Sequence, residues 1–247
     1  MGLRRGGAAR GGAGTGPGPR LEPDAAGYFR RALETLREGL SPEELALFAP
    51  NVLAEAAAAG PGVALDPGGS RVLQALLPHA PLAVLGVLLP PLVGGGLGGA
   101  AGHPLGARVL EAALGRVLPA LGEAVGQVEG AVGQVEGAVG QVEGAVGQLA
   151  AVVRDDLVAF ARHPAGSFVV RALLRVLGGV PGAGVPQLSL GGAELKAKGA
   201  EPKTEGVELP PSFPPLLTQL AEAFEEHLGC ECWGGWGASP PRSPPPP

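Results

Sequence analysis

Cysteine is nearly absent: Cys230 and Cys232 are the only two in 247 residues, and there is a single methionine. No disulfide framework can be built from two neighbouring cysteines, so nothing in their usage argues for secretion. Aromatic residues are 4% and charged residues 17% of the chain, which excludes a large aromatic-rich core. No apolar signal-peptide stretch follows the start; Met1 opens onto Arg4, Arg5 and Arg10 among glycines and alanines. Gly6 stands where myristoylation needs Ser or Thr. The longest uncharged stretch, Ala80 to Gly102, is broken by Pro81, Pro90 and Pro91, and its strong hydrophobes are confined to Leu82–Val93. That is too short to cross a bilayer and predicts a buried helix followed by a loop. No Gly-rich phosphate loop with a lysine, no Ser/His/Asp arrangement and no zinc-enzyme motif is present, so neither catalysis nor a cofactor is expected.

Glycine and proline, by contrast, are abundant, at 44 and 27 residues, which reaches the range of low-complexity chains. Hydrophobic residues nevertheless make up 45%, too many for a wholly disordered polypeptide. Helical islands separated by Gly/Pro-rich segments are the expected compromise. The net charge of −5 is uneven: the first twenty residues hold four of the 18 basic residues and no acid, so the body is acidic. The two Arg-Gly-Gly steps of that arm, at Arg5 and Arg10, are too few to read as more than a solvated arm.

A first helix is expected from Asp24 to Glu38, with Phe29, Leu33, Leu36 and Leu40 at helical spacing. Ser41-Pro42-Glu43-Glu44 is a helix start, with Ser as N-cap and Glu three residues on. Pro50 is expected to kink or divide that helix before Gly60-Pro61-Gly62 ends it.

Internal repetition is the informative signal. Asp66–Leu77, His103–Leu114 and His163–Leu174 align without a gap, sharing Pro at position two, Gly at four, Val at seven, Ala at ten and Leu at twelve. The second offset is longer because Ala124–Gly144 holds three tandem copies of Ala-Val-Gly-Gln-Val-Glu-Gly, followed by a partial fourth. With those copies removed, both offsets fall in the high thirties, the period of a helical solenoid. Two glycines per heptad, each costing about 1 kcal/mol in a helix interior, argue against an isolated coiled coil. The tract is expected to be a low-complexity insertion within one unit, helical only where it leans on a neighbour. His103 and His163 recur in register before Pro, which favours a structural role in the turn over metal ligation, and His79 is expected at the surface. His227, Cys230 and Cys232 offer three metal-ligating types, too weak a pattern for a site, and no metal is expected.

Turning about 100° per residue from position five places positions seven, eight, eleven and twelve on one apolar arc, Val72, Leu73, Leu76 and Leu77 in the first unit. The opposite arc carries Ser70, Arg71 and Gln74; then Ala107, Arg108 and Glu111; then Ser167, Phe168 and Arg171. Each unit is thus expected to bury one face and present a varied triplet on the other.

This pattern resembles the Pumilio family of RNA-binding repeats. In the terms of that resemblance, Arg71, Arg108 and Phe168 at the second triplet position stack against bases. Ser70 with Gln74, Ala107 with Glu111, and Ser167 with Arg171 are the edge-reading pairs. Ala107 has no polar group for a base and Arg171 can only donate, so phosphate and shape contacts are expected ahead of base-by-base reading. The segments Ala25–Leu33, Gly166–Gly179 and Val207–Phe213 are similar to the Pumilio-like proteins of small-subunit ribosome assembly.

The resemblance implies an all-α, Pumilio-like helical-repeat solenoid fragment with disordered termini. It implies a nucleolar, non-enzymatic protein that binds precursor rRNA and shields it from premature cleavage, with pre-ribosomal proteins as further partners and neither a membrane nor a small-molecule substrate. The expected organisation is an Arg/Gly arm at 1–22, N-terminal helices and first units at 23–123, and the heptad insertion at 124–149. A further unit follows at 150–180, a flexible linker at 181–211, the opening helix of an incomplete unit at 212–229 and an unmatched Pro-rich tail at 230–247. The competing expectations are a helical-repeat scaffold that binds protein and no RNA, and a shortened product without a function of its own.

Overall fold

The computed structural model describes residues 21–126, 132–180 and 209–232, and among these no strand occurs. Most of the arm, the linker and the tail, and residues 127–131 of the heptad tract, lie outside the described residues.

Among the described residues ten α-helices follow one another: α1 (Pro23–Glu38), α2 (Pro42–Ala59), α3 (Gly62–Leu65), α4 (Pro67–Leu76), α5 (Leu82–Val93), α6 (Pro104–Gly126), α7 (Val132–Asp155), α8 (Leu157–Arg162), α9 (Gly166–Leu177) and α10 (Phe213–Cys232). Short 3-10 turns at Leu77–His79, Gly96–Gly98 and Ala100–Gly102 complete the connections. They form two layers. Helices α1, α4, α6 and α9 pack side by side in that order, and α2, α5, α7 and α10 pack likewise behind them. Each unit is therefore an outer helix, a short helix or 3-10 turns, and an inner helix, as in α2–α3–α4 and α7–α8–α9. The three aligned segments are the starts of the inner helices.

The core follows the apolar arc. Val72, Leu73, Leu76 and Leu77 are buried, as are Val109, Leu110, Ala113 and Leu114, and then Val169, Val170 and Leu173. Each fully buried Val or Leu contributes about 1.5–3 kcal/mol of transfer free energy. Leu82–Val93 forms the buried helix its composition predicts, and among the described residues no helix is long and apolar enough to cross a membrane.

The structure makes two expectations more specific. First, α2 is not divided at Pro50 but continues as helix through it. Its start is secured by a complete capping box: the Glu44 N–H donates to Ser41 Oγ at 3.3 Å and the Ser41 N–H to Glu44 Oε2 at 2.8 Å. These bonds hold the Glu44 carboxyl below its usual pKa. Past the proline, the Asn51 side chain donates to the Leu47 carbonyl at 2.9 Å. Val52, Leu53 and Ala56 remain buried, and that packing outweighs the lost backbone bond. Second, the described part of the heptad tract is helical where it packs on α5 and α10. From Val132 it is the first part of α7, so the boundary expected between 149 and 150 falls inside a continuous outer helix. Glycine makes a helix marginal in isolation, but α7 buries Ala138, Val142, Ala145 and Val146 in the common core.

Candidate nucleic-acid interface

The inner helices α4, α6 and α9 begin alike. In α4 the Asp66 carboxylate accepts from the N–H groups of Gly68 and Gly69, each at 2.8 Å. Before α6, His103 Nδ1 accepts from the Leu105 N–H at 3.2 Å. Before α9, His163 Nδ1 accepts from those of Ala165 and Gly166 at 3.2 and 3.1 Å. Position one is thus a helix-start acceptor in all three units, with Nδ1 taking that role in both histidines. The shared glycine at position four admits the preceding short element. A Cβ at Gly69 would lie 2.5 Å from the Val63 carbonyl oxygen, and one at Gly106 would lie 2.5 Å from that of Ala100.

These starts aim one ridge of each inner helix away from the core. Arg71, Arg108, Phe168 and Arg171 are exposed on it, Phe168 by 38% of its surface. The other triplet members sit lower. Ser70 and Ala107 are buried, Gln74 is 8% exposed, and Glu111 and Ser167 are half-buried. Side-by-side packing of the inner helices covers the flank that carries position five. Only the last unit, at Ser167, leaves it partly open.

The polar groups of that flank are satisfied internally. Ser70 Oγ donates to the Pro67 carbonyl at 3.4 Å and Ser167 Oγ to that of Pro164 at 3.2 Å. The position-nine side chains fold back in the same way: Gln74 donates to the Ser70 carbonyl at 3.1 Å and Arg171 to that of Ser167 at 3.3 Å.

The structure brings three of the candidates together. The Arg108 guanidinium lies 5.9 Å from the centroid of the Phe168 ring, across the α6–α9 boundary, and that of Arg171 lies 4.5 Å from it. Both guanidinium groups lie over the ring, and the three side chains form a cationic–aromatic cluster of the kind that attracts a phosphate and can stack with a nucleobase.

Charge is partitioned between the layers. Inner helices α1, α4, α6 and α9 hold eight arginines against five acids, whereas outer helices α2, α5, α7 and α10 hold one arginine against ten acids. The acidic body inferred from the sequence is thus acidic on one side only. Sequence reasoning missed Arg175, exposed one turn beyond Arg171, and missed that α1 is itself an inner helix bringing exposed Arg30, Arg31 and Arg37. α1 lacks the Pro-x-Gly signature that exposed the other units, and Arg175 lies just past the aligned segment His163–Leu174 of its own unit.

A cross-unit pin steadies the ridge. Arg116 on α6 donates from Nε to the Ala80 carbonyl at 2.9 Å and forms a two-pronged ion pair with Glu123. His79, expected at the surface, is half-buried in the same region, and burial together with the Arg116 charge pushes its pKa down.

No family model matches the chain. It is 38% identical over 215 residues to nucleolar protein 9 of Mus musculus and 35% identical over 212 residues to nucleolar protein 9 of Homo sapiens. Each match covers 83% of this chain and 33% of the relative, so the chain spans about a third of the length of the curated relatives it matches. Among solved structures, APUM23 with GGAGUUGACGG superposes with a TM-score of 0.55 and 24% identity, over 83% of this chain and 35% of that one. APUM23 with its insert region deleted, with GGAAUUGACGG, gives 0.54 and 22%, over 83% and 32%. The chain is a relative of nucleolar protein 9 with the fold of a Pumilio-like helical-repeat solenoid.

Proposed function

We propose that this relative of nucleolar protein 9 binds precursor ribosomal RNA along its inner helices, in the nucleolus, during small-subunit biogenesis. It shields the bound RNA from premature cleavage and performs no catalysis of its own. The observation that carries the reading is the exposed ridge of Arg71, Arg108, Phe168 and Arg171, in which the two arginines Arg108 and Arg171 meet over the Phe168 ring. Phosphates are attracted to the arginines and a base is accommodated by the ring. The acidic outer layer repels RNA and so favours approach to the inner face. With Ser70 and Ala107 buried, stacking and phosphate contact dominate over edge reading. The relatives' name supports the ribosomal setting, and RNA bound to APUM23 supports the class of ligand. Pre-ribosomal proteins are the further partners that this setting implies.

The test is a salt titration of the full chain against a small-subunit precursor rRNA fragment. Affinity falls as salt rises, and Arg71→Ala with Arg108→Ala lowers both the affinity and the salt slope. A folded chain that shows no binding at low salt refutes the proposal and leaves a protein-binding scaffold in its place.

A further inference from the structure

We infer that the tandem heptads make α7 indifferent to copy number: whole copies can be lost or gained while the helix keeps the same face on α5 and α10. Three contacts of the tract define that face. Gly86 on α5 sits so close to α7 that a Cβ there would lie 2.7 Å from Gln141 Oε1 and 3.4 Å from the Ala138 carbonyl. Ser212, just before α10, donates to Glu143 Oε2 at 2.9 Å. Ala138, Val142, Ala145 and Val146 supply the buried side.

Every one of these α7 residues has an identical counterpart seven residues earlier: Ala131, Gln134, Val135, Glu136, Ala138 and Val139. Seven residues turn a helix through about 700°, within about 20° of two full turns, so the counterparts return to the same face. The register is fixed from the other end. Leu149, Ala150 and Val153 are buried, lie beyond the repeat, and have no equivalents within it. Glycines of the tract do not obstruct a shift, because Cβ atoms added at Gly133, Gly137, Gly140 and Gly144 would meet nothing within 4 Å. Length change is thereby passed to the N-terminal end of α7.

The experiment compares full-length chains by thermal melting and far-UV circular dichroism. Deleting residues 138–144 removes one copy, and adding one copy lengthens the tract. Both variants are expected to melt within about 2 °C of the parent. Deleting only residues 138–142 turns the upstream face by about 140° and is expected to lower the midpoint by roughly 5 °C or more, or to prevent folding. Gly86→Leu is expected to lower the midpoint equally in the parent and in the one-copy deletion, because Ala131 and Gln134 take over the contact. A one-copy deletion as damaging as the five-residue deletion overturns the inference. So does a Gly86→Leu effect that disappears in the shortened chain.

Discussion

Arg108 and Phe168 stand at the same position of consecutive repeats, on different helices, with the guanidinium 5.9 Å from the ring centroid. Sixty residues of sequence separate them, and side-by-side packing of α6 and α9 makes them neighbours. If the ring is a stacking platform, Phe168→Ala lowers affinity for precursor rRNA by about 1–3 kcal/mol, whereas Phe168→Trp retains it. Filter binding of both variants at one salt concentration checks this. Equal losses in the two variants would argue for a merely structural ring.

The glycines of the chain divide into two kinds with opposite predicted effects. Gly69→Ala and Gly106→Ala drive a methyl group into a backbone carbonyl 2.5 Å away, and each is expected to cost about 1–3 kcal/mol. Gly140→Ala, with open space around it in α7, is expected to stabilise by about 0.5–1 kcal/mol. Urea denaturation of the three variants gives the signs directly.

His163 and Asp66 do the same work at the start of an inner helix, accepting two backbone N–H bonds each. His163→Ala is expected to lose about 1 kcal/mol and His163→Asp to keep most of the stability. Chemical denaturation at neutral pH distinguishes the two. Metal ligation by His163 would instead show as sensitivity to chelators in the parent chain.

Acid sensitivity is expected at His79, whose pKa is lowered by burial and then by Arg116. Because the folded value lies below the unfolded one, the unfolded chain takes up the proton first as pH falls. Stability from this group is therefore complete above the unfolded value of about 6.5 and is lost as pH drops through the lower folded value. Denaturation midpoints measured from pH 7.5 downward should decline less steeply in His79→Gln than in the parent. Identical slopes would remove His79 from the account.

Much of this fold is legible in the sequence because its signals are local. Pro, Gly and Val at fixed positions mark each inner helix, Ser41 and Glu44 mark the start of α2, and Leu82–Val93 marks its own limits. What escapes is decided by neighbours. Helix formation through the heptad glycines depends on α5 and α10, and continuity through Pro50 depends on the burial of Val52 and Leu53. The helical wheel places Ser70 and Ala107 on the presenting arc, and only their burial in the folded chain shows that flank to be covered. The partition of charge between layers is likewise invisible until the order of packing is known.

The central claim is that the inner helices, and not the outer ones, meet RNA. Ultraviolet cross-linking of the full chain to a small-subunit precursor rRNA fragment, with peptide mapping, tests it most directly. The account predicts cross-links at Phe168 and on the exposed ridge of α4, α6 and α9, lost when salt is raised. Cross-links confined to α2, α5, α7 or α10, with the inner helices untouched, would contradict it.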